Sequence, residues 1–474
     1  MLSVLALVGL VLCQGVVGKF DLVAEYVTLP FKWDVASGNS ESFWREQGYP
    51  NTSALAGIKQ GYDGSIYVTV PRWRSGVPST LNKLIFDGDD DLQPILEPFP
   101  SWEFNNNTLR NAQSMLIDTH NRMWIIDVGR ENFADPTSST LINAPAKVFV
   151  LNLDTYELDS SLSYTFPDHV VPWNNSFLND IALDLDGGRA YFTSTQGDGL
   201  LVVYDFVGNT SWSFTGPSTE RDPSYDFIVN GYNYGNCDTC IGASSPVDGI
   251  ALSDDMSTLF YCPVGGTQLW TIDTAVLGNN LTTAFEFNSA AVPLVNKTGP
   301  SDGLWMTQGT LYYGDLSHSS LTSLDVSNMT DLTTSSSVLL GQSDDNYRWI
   351  DTFSGVLDAT DDATLYFTSN KLDLFFNNTM PMSATTEPNF RIYRYSASAT
   401  GDDDDNDNED EEDKESDDYI TIIACVTLLA GSAGSLVVYR YRKLLCPASW
   451  FIDVHSGIRE DLMGDQPMSS SSPL

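Results

Sequence analysis

Cysteine is scarce in this 474-residue chain, with six in all. Cys13, Cys425 and Cys446 fall in or beside apolar end segments, which leaves Cys237, Cys240 and Cys262 for the body. Three thiols exclude a disulfide-built scaffold. Positive charge is also short: 23 Lys and Arg stand against 63 Asp and Glu, a net charge of −40. A polyphosphate would be repelled by such a chain, so a general nucleic-acid role is excluded and the acidity suits cationic partners or solubility. His120, His169 and His318 are scattered without the spacing of a zinc site. G-x-S-x-G, H-E-x-x-H, P-loop and dinucleotide fingerprints are all missing. No metal and no cofactor is expected, and no long helical period interrupts the chain.

What is present is a phrase repeated six times: an apolar run, an acidic or Gly turn, then a strand-like run with an aromatic residue. It reads GYDGSIYVTV, IDTHNRMWIID, LDLDGGRAYFTS, LSDDMSTLFYCP, MTQGTLYYGD and LDATDDATLYFTS. The aligned aromatics are Tyr67, Trp124, Tyr191, Phe260, Tyr312 and Tyr366, at intervals of 57, 67, 69, 52 and 54 residues. A strand-rich unit of that length cannot bury both faces alone, and stacking around a common axis makes it the blade of a β-propeller. The expectation is an all-β, six-bladed ring. Residues 20–33 alternate apolar and polar side chains and read as a strand that closes the ring by completing the last blade. Function is then sought in the loops around the channel.

The ends point to a membrane. Met1–Gly18 reads as a signal peptide, and 19–398 as the propeller. Residues 399–418 form an acidic stalk, in which Asp402–Asp418 holds thirteen acids and one Lys. Self-repulsion keeps such a segment extended, and weak calcium binding is its alternative role. Tyr419–Tyr439 is a charge-free apolar run of 21 residues followed by Arg440, Arg442 and Lys443. That pattern predicts a single-pass, type I transmembrane helix with a short cytoplasmic tail at 440–474. Cys446, beside the basic residues, is a candidate for palmitoylation. Asn51, Asn106, Asn174, Asn209, Asn280, Asn296, Asn328 and Asn377 each begin an N-x-S/T sequon, all on the side expected to be extracellular or luminal. Cys237-Asp-Thr-Cys240 lies in a Gly/Asn-rich loop with no helix to lower a thiol pKa. It is expected as a local disulfide, with Cys262 free or as an exchange partner.

Four acidic steps begin the expected innermost strands: Asn179-Asp180, Asp248-Gly249, Asp302-Gly303 and Asp351-Thr352. If the blades superpose, these acids approach one mouth of the channel, where carboxylates beside aromatics favour an organic cation. The plainer reading is that each Asp ties off a turn. The run Asp87–Asp91 lacks the spacing and distal Glu of an EF-hand and reads as a solvated loop.

The segment Arg72-Trp-Arg-Ser-Gly-Val-Pro-Ser-Thr-Leu-Asn82 resembles the R-x₃-G-V-P-x-[ST]-L-N stretch of the Yellow and major royal jelly protein family. Leu96–Trp102, Ile117–Gly129, Gly249–Ser253, Phe260–Val264, Asp351–Phe353 and Thr368–Leu372 keep that family's order, so the resemblance covers roughly Phe20–Tyr395. It implies a six-bladed propeller. It implies functions ranging from dopachrome conversion through binding of biogenic amines to nutritive or structural roles. The positions that look equivalent to the amine binders' site are Thr352 and Asn370, with Leu372 where those binders carry an aromatic. The leading expectation is a membrane-tethered ectodomain that binds a small aromatic or cationic ligand, a biogenic amine or a dopachrome-like quinone. In an enzymatic version, tautomerisation of the quinone would use Asp180 or Asp351 as acid or base. The alternative is a non-enzymatic surface or matrix glycoprotein with a protein partner.

Overall fold

A computed structural model describes residues 18–134, 141–235, 241–357, 363–382 and 387–397. The expected signal segment up to residue 17, the Cys237–Cys240 pair, the stalk, the membrane span and the tail lie outside the described residues. Among the described residues no helix is long and apolar enough to cross a membrane.

Six four-stranded antiparallel sheets form the blades of a propeller. Their inner strands are Ile58–Gln60, Ala112–Ile117, Leu178–Asp184, Val247–Leu252, Leu304–Thr307 and Trp349–Leu357, in blades 1 to 6. Each inner strand packs beside the next, and the sixth returns to the first. Blade 6 takes its fourth strand, Lys19–Tyr26, from the N-terminus, where it pairs with Phe390–Ser396 from Lys19↔Ser396 to Tyr26↔Phe390. This pairing ties the two ends of the described ring together in one sheet.

The repeated aromatics explain the ring. Tyr67, Trp124, Tyr191, Phe260, Tyr312 and Tyr366 all sit on second strands and all are buried. They stand in the clusters that join one blade to the next. Trp124, for example, packs with Phe192 and Tyr204 between blades 2 and 3, and Phe260 packs with Leu311 and Tyr313 between blades 4 and 5. The acidic turns just before these strands are tied by their own side chains. Asp63 Oδ1 accepts from Ser65 N at 3.0 Å, Asp118 Oδ1 from His120 N at 2.9 Å, and Asp255 Oδ1 from Ser257 N at 3.0 Å. Blade 5 uses Gln308-Gly309 instead, with φ of 49° and 70°, the double left-handed turn that matches strand twist.

Short elements that the period of the sequence does not announce decorate one side. They include the helices Glu41–Glu46 and Leu372–Phe376 and the hairpin Phe227–Val229/Tyr232–Gly235. The hairpin and the second of these helices are latched together. Arg348 donates to Asp373 through Nε and Nη2 at 3.0 and 2.6 Å, while Tyr234 donates to the same carboxylate at 2.8 Å.

Candidate binding site at the channel mouth

A shared interruption aims side chains into the channel. In blades 2, 3, 4 and 6 the pairing of inner and second strands skips two residues: Gln113-Ser114, Asn179-Asp180, Asp248-Gly249 and Asp351-Thr352. Such a bulge breaks the in–out alternation and re-aims the residues it contains. Asp302-Gly303 in blade 5 and Ala56-Gly57 in blade 1 occupy the matching place, just ahead of Leu304 and Ile58. The first positions around the ring are therefore Ala56, Gln113, Asn179, Asp248, Asp302 and Asp351. The second positions are Gly57, Ser114, Asp180, Gly249, Gly303 and Thr352. Glycine is required at two of these because the inner strands crowd there. A Cβ on Gly249 would meet Asp302 O at 2.3 Å, and one on Gly303 would meet Asp351 O at 2.4 Å.

The first positions form a bonded polar arc. Trp73 Nε1 donates to Gln113 at 2.9 Å, and Gln113 Nε2 donates to Asn179 at 2.8 Å. Asn179 Nδ2 donates in turn to the Asp248 carboxylate. Asp248 and Asp302 are neighbours in this arc, and the charge of Asp248 disfavours ionisation of Asp302. Trp349 Nε1 donates to Asp302 at 2.7 Å, and Asp351 accepts from Thr352 Oγ1 at 3.0 Å and Asn370 Nδ2 at 3.1 Å.

These three acids are buried, so they resist ionisation. Burial, partly offset by neighbouring hydrogen bonds that include the one from Asn179, pushes Asp248 up to about 6. Burial and the charge of Asp248 push Asp351 up to about 7. Burial and two acidic neighbours, Asp248 and Asp351, hold Asp302 well above the usual carboxylate range.

The arc forms the floor of a cavity of about 510 Å³. Its walls carry Trp73, Phe133, Phe177, Trp349 and Phe376, with Asn175, Thr195 and Gln196 as further polar groups. Ile241, Gly242, Ser244 and Ser245 of the long connection between blades 3 and 4 complete the rim. Among the described residues, no Lys or Arg lines this space. Three acidic side chains thus face an aromatic-walled cavity with no cation supplied by its lining. Among the described residues, no three His, Cys, Asp or Glu side chains converge closely enough to hold a metal ion.

The residues singled out from sequence fall in different layers. Asp351 and Leu372 line the cavity. Thr352 and Asn370 stand behind Asp351 and hold its carboxylate, and Asn370 also accepts from Leu372 N at 3.2 Å. Asp180 occupies a second position, in the slot where blades 4 and 5 carry glycine. It accepts from Ser114 Oγ at 3.1 Å and Ile181 N at 2.9 Å. Burial raises its pKa, and the charge of Lys59 opposes that rise. Lys59, buried and donating to Phe353 O, is itself pushed down to about 8 by burial, against the pull of Asp180. The residue equivalent to Asp248 is therefore Asn179. Sequence reasoning missed Gln113, Trp73 and Trp349; Trp349 stands two residues before Asp351, the one spacing that could have suggested it. Phe133, Phe177 and Phe376 come from connections with no period to reveal them.

All eight sequon asparagines are exposed. Cys262 is a buried free thiol, 3.4 Å from Ser301 Oγ. The Asp87–Asp91 loop is solvated, with Asp91 accepting from Asp87 N and Gln93 N, both at 2.9 Å.

Known proteins resemble this chain in sequence. Protein yellow of Drosophila melanogaster is 29% identical over 270 residues, covering 53% of this chain and 46% of the relative. Protein yellow of Drosophila subobscura is 28% identical over 272 residues, covering 53% and 44%. The matched region thus spans less than half the length of either relative. A luciferin-regenerating enzyme superimposes with a TM-score of 0.40 at 12% identity, over 80% of this chain and 95% of that one, a likeness that carries no weight for function. The family model for major royal jelly protein matches residues 111–402. The chain belongs to the Yellow/major royal jelly protein family.

Proposed function

We propose that the channel mouth binds a small aromatic cation, of which the biogenic amines are the simplest examples. The observation that carries this reading is the convergence of Asp248, Asp302 and Asp351, from three consecutive blades, beneath aromatic walls with no cation in the lining. An ammonium group on the floor would let the acids ionise, and an aromatic ring would pack on Trp349, Trp73 and the phenylalanines. Asn179, Gln113 and Thr195 supply acceptors and donors for ring hydroxyls. The propeller does this work as a glycosylated ectodomain held at a membrane by residues 419–439.

Isothermal titration of the full chain with dopamine, serotonin and a neutral catechol tests the reading. Saturable heat with the amines and at least tenfold weaker binding of the neutral catechol are expected. Equal affinity for charged and neutral ligands would show that the acids are not the recognition element.

A second reading is favoured by one observation: Asp351 is pushed up to about 7, where a carboxyl both gives and takes a proton at neutral pH. On that reading the site tautomerises a catechol-derived quinone, with Asp351 moving the proton. The decay of dopachrome with and without the chain, and with Asp351→Asn, decides it.

A further inference from the structure

A second cavity lies on the other side of the segment Arg72-Trp73-Arg74. Trp73 faces the acidic cavity, whereas Arg72 and Arg74 line a cleft of about 580 Å³ between blades 1 and 2. The partition continues across two main-chain bonds, Asn132 N to Arg72 O at 3.0 Å and Ala134 N to Trp73 O at 2.9 Å. Phe133 again faces the acidic side and Asn132 the cleft.

The charge of the cleft is reversed. Arg72, Arg74, Arg110 and Lys147 line it, against Asp127 and Glu131. It therefore gathers four of the chain's 23 basic residues around two of its 63 acids. Both oxygens of Asp127 are engaged by main-chain donors: Arg110 N and Asn111 N at 2.9 Å and Gly129 N at 3.1 Å. Arg72 is fixed by the carbonyls of Asn105, Leu109 and Arg110 at 2.7–3.2 Å, with no carboxylate in its bonded set. The other acid, Glu131, accepts from Arg110 Nη1 at 3.1 Å, which leaves Lys147 and the carbonyl-bound Arg72 as the charge that the two acids do not take up.

We propose that this cleft binds a small oxyanion, the shared chemistry of sulfate, phosphate and carboxylate groups. Lys147 and Arg110 supply charge at its open side, where the ion competes with Glu131 for Arg110, and Arg72 supplies charge from the wall. The site is independent of the channel mouth in charge and in residues.

Calorimetric titration of the full chain with inorganic sulfate, phosphate and acetate, at ionic strength held constant with NaCl, tests this proposal. Saturable binding of at least one anion is expected. Arg110→Ala/Lys147→Ala should weaken it by at least roughly tenfold, the loss expected for charged hydrogen bonds. Lys147→Ala alone should weaken it by about 2–10-fold. Sulfate also stabilises proteins by exclusion, so a raised melting temperature counts only where wild type and variant differ. Absence of saturable binding, or equal binding in wild type and Lys147→Ala, would overturn the proposal and leave the arginines as struts for loop carbonyls. Lys147→Ala decides the matter even if the double variant fails to fold.

Discussion

Two cavities share one wall, and the wall sorts charge. On one side Trp73 and Phe133 close an aromatic space floored by three carboxylates; on the other Arg72 and Asn132 face a cleft with four basic residues. The acidic side is an exit of the channel, built from the same two-residue interruption in successive blades. The basic side is built from loops of only two blades. The difference shows how a repeated fold supports two kinds of site. Symmetry places equivalent side chains around an axis and so concentrates one charge sign there, whereas loops break the symmetry and carry the opposite sign.

The largest effect should come from removing the acidic floor. Asp302→Asn/Asp351→Asn is expected to weaken amine binding by at least roughly 100-fold, since a buried charge contact is worth several kcal/mol. The same double variant should melt higher than wild type at pH 8 when no ligand is present, because it removes carboxylates that burial and their neighbours make reluctant to ionise. Scanning calorimetry together with amine titration checks both halves. A variant that loses binding and also melts lower would mean that the acids hold the ring together rather than await a ligand.

One layer down the comparison can be sharpened, since there the chain supplies its own counter-charge. Lys59→Met removes the cation that Asp180 feels and frees the carbonyl of Phe353. It should cost roughly 3 kcal/mol, whereas Lys59→Met/Asp180→Asn should recover most of that loss, as expected when both members of a buried pair are neutralised. Chemical denaturation of the four members of this cycle measures the coupling. Simple additivity would mean that Lys59 and Asp180 do not act as a pair.

Much of the ring was legible in the sequence because each blade repeats a buried aromatic on its second strand, and burial is what the repeat encodes. The site was legible only in part. Asp248, Asp302 and Asp351 could be named because each begins an inner strand. The choice between Asn179 and Asp180 could not be made, since a bulge carries both and suspends the alternation that sequence periodicity relies on. Asp180 was singled out as a candidate acid or base, yet it sits beneath the floor beside Lys59. Thr352 and Asn370, inferred from resemblance, position Asp351 rather than line the cavity. The basic cleft was illegible because Arg72, Arg110 and Lys147 lie far apart in the chain and meet only when blades 1 and 2 close.

A smaller effect follows from pH. Asp248 and Asp351 have ordinary values of 3.8 that burial, first of all, raises to about 6 and about 7. The folded, ligand-free chain therefore binds more protons than the unfolded chain between about pH 4 and pH 7, and its stability falls as pH rises through that window. A bound amine reverses the trend by favouring the ionised acids. Amine affinity should increase by up to about tenfold per pH unit below pH 6 and level off above pH 7. Titrations in buffers of different ionisation enthalpy should show proton release near pH 6. Affinity that is flat from pH 5 to 8 would separate the ligand from the acids.

The smallest effect tests the wall itself. Trp73→Phe keeps an aromatic face toward the acidic cavity but deletes the N–H that donates to Gln113 at 2.9 Å. Gln113 orients Asn179, and Asn179 in turn donates to Asp248, so the lost bond loosens the arc from its far end. One neutral hydrogen bond is worth about 0.5–1.5 kcal/mol, so amine affinity should fall by roughly 2–10-fold. The loss should be smaller than in an Asn179→Ala variant, which removes the donor to Asp248 directly. If Trp73→Phe weakens binding as much as Asn179→Ala does, the indole itself contacts the ligand, and Trp73 belongs to the recognition surface rather than to its scaffold.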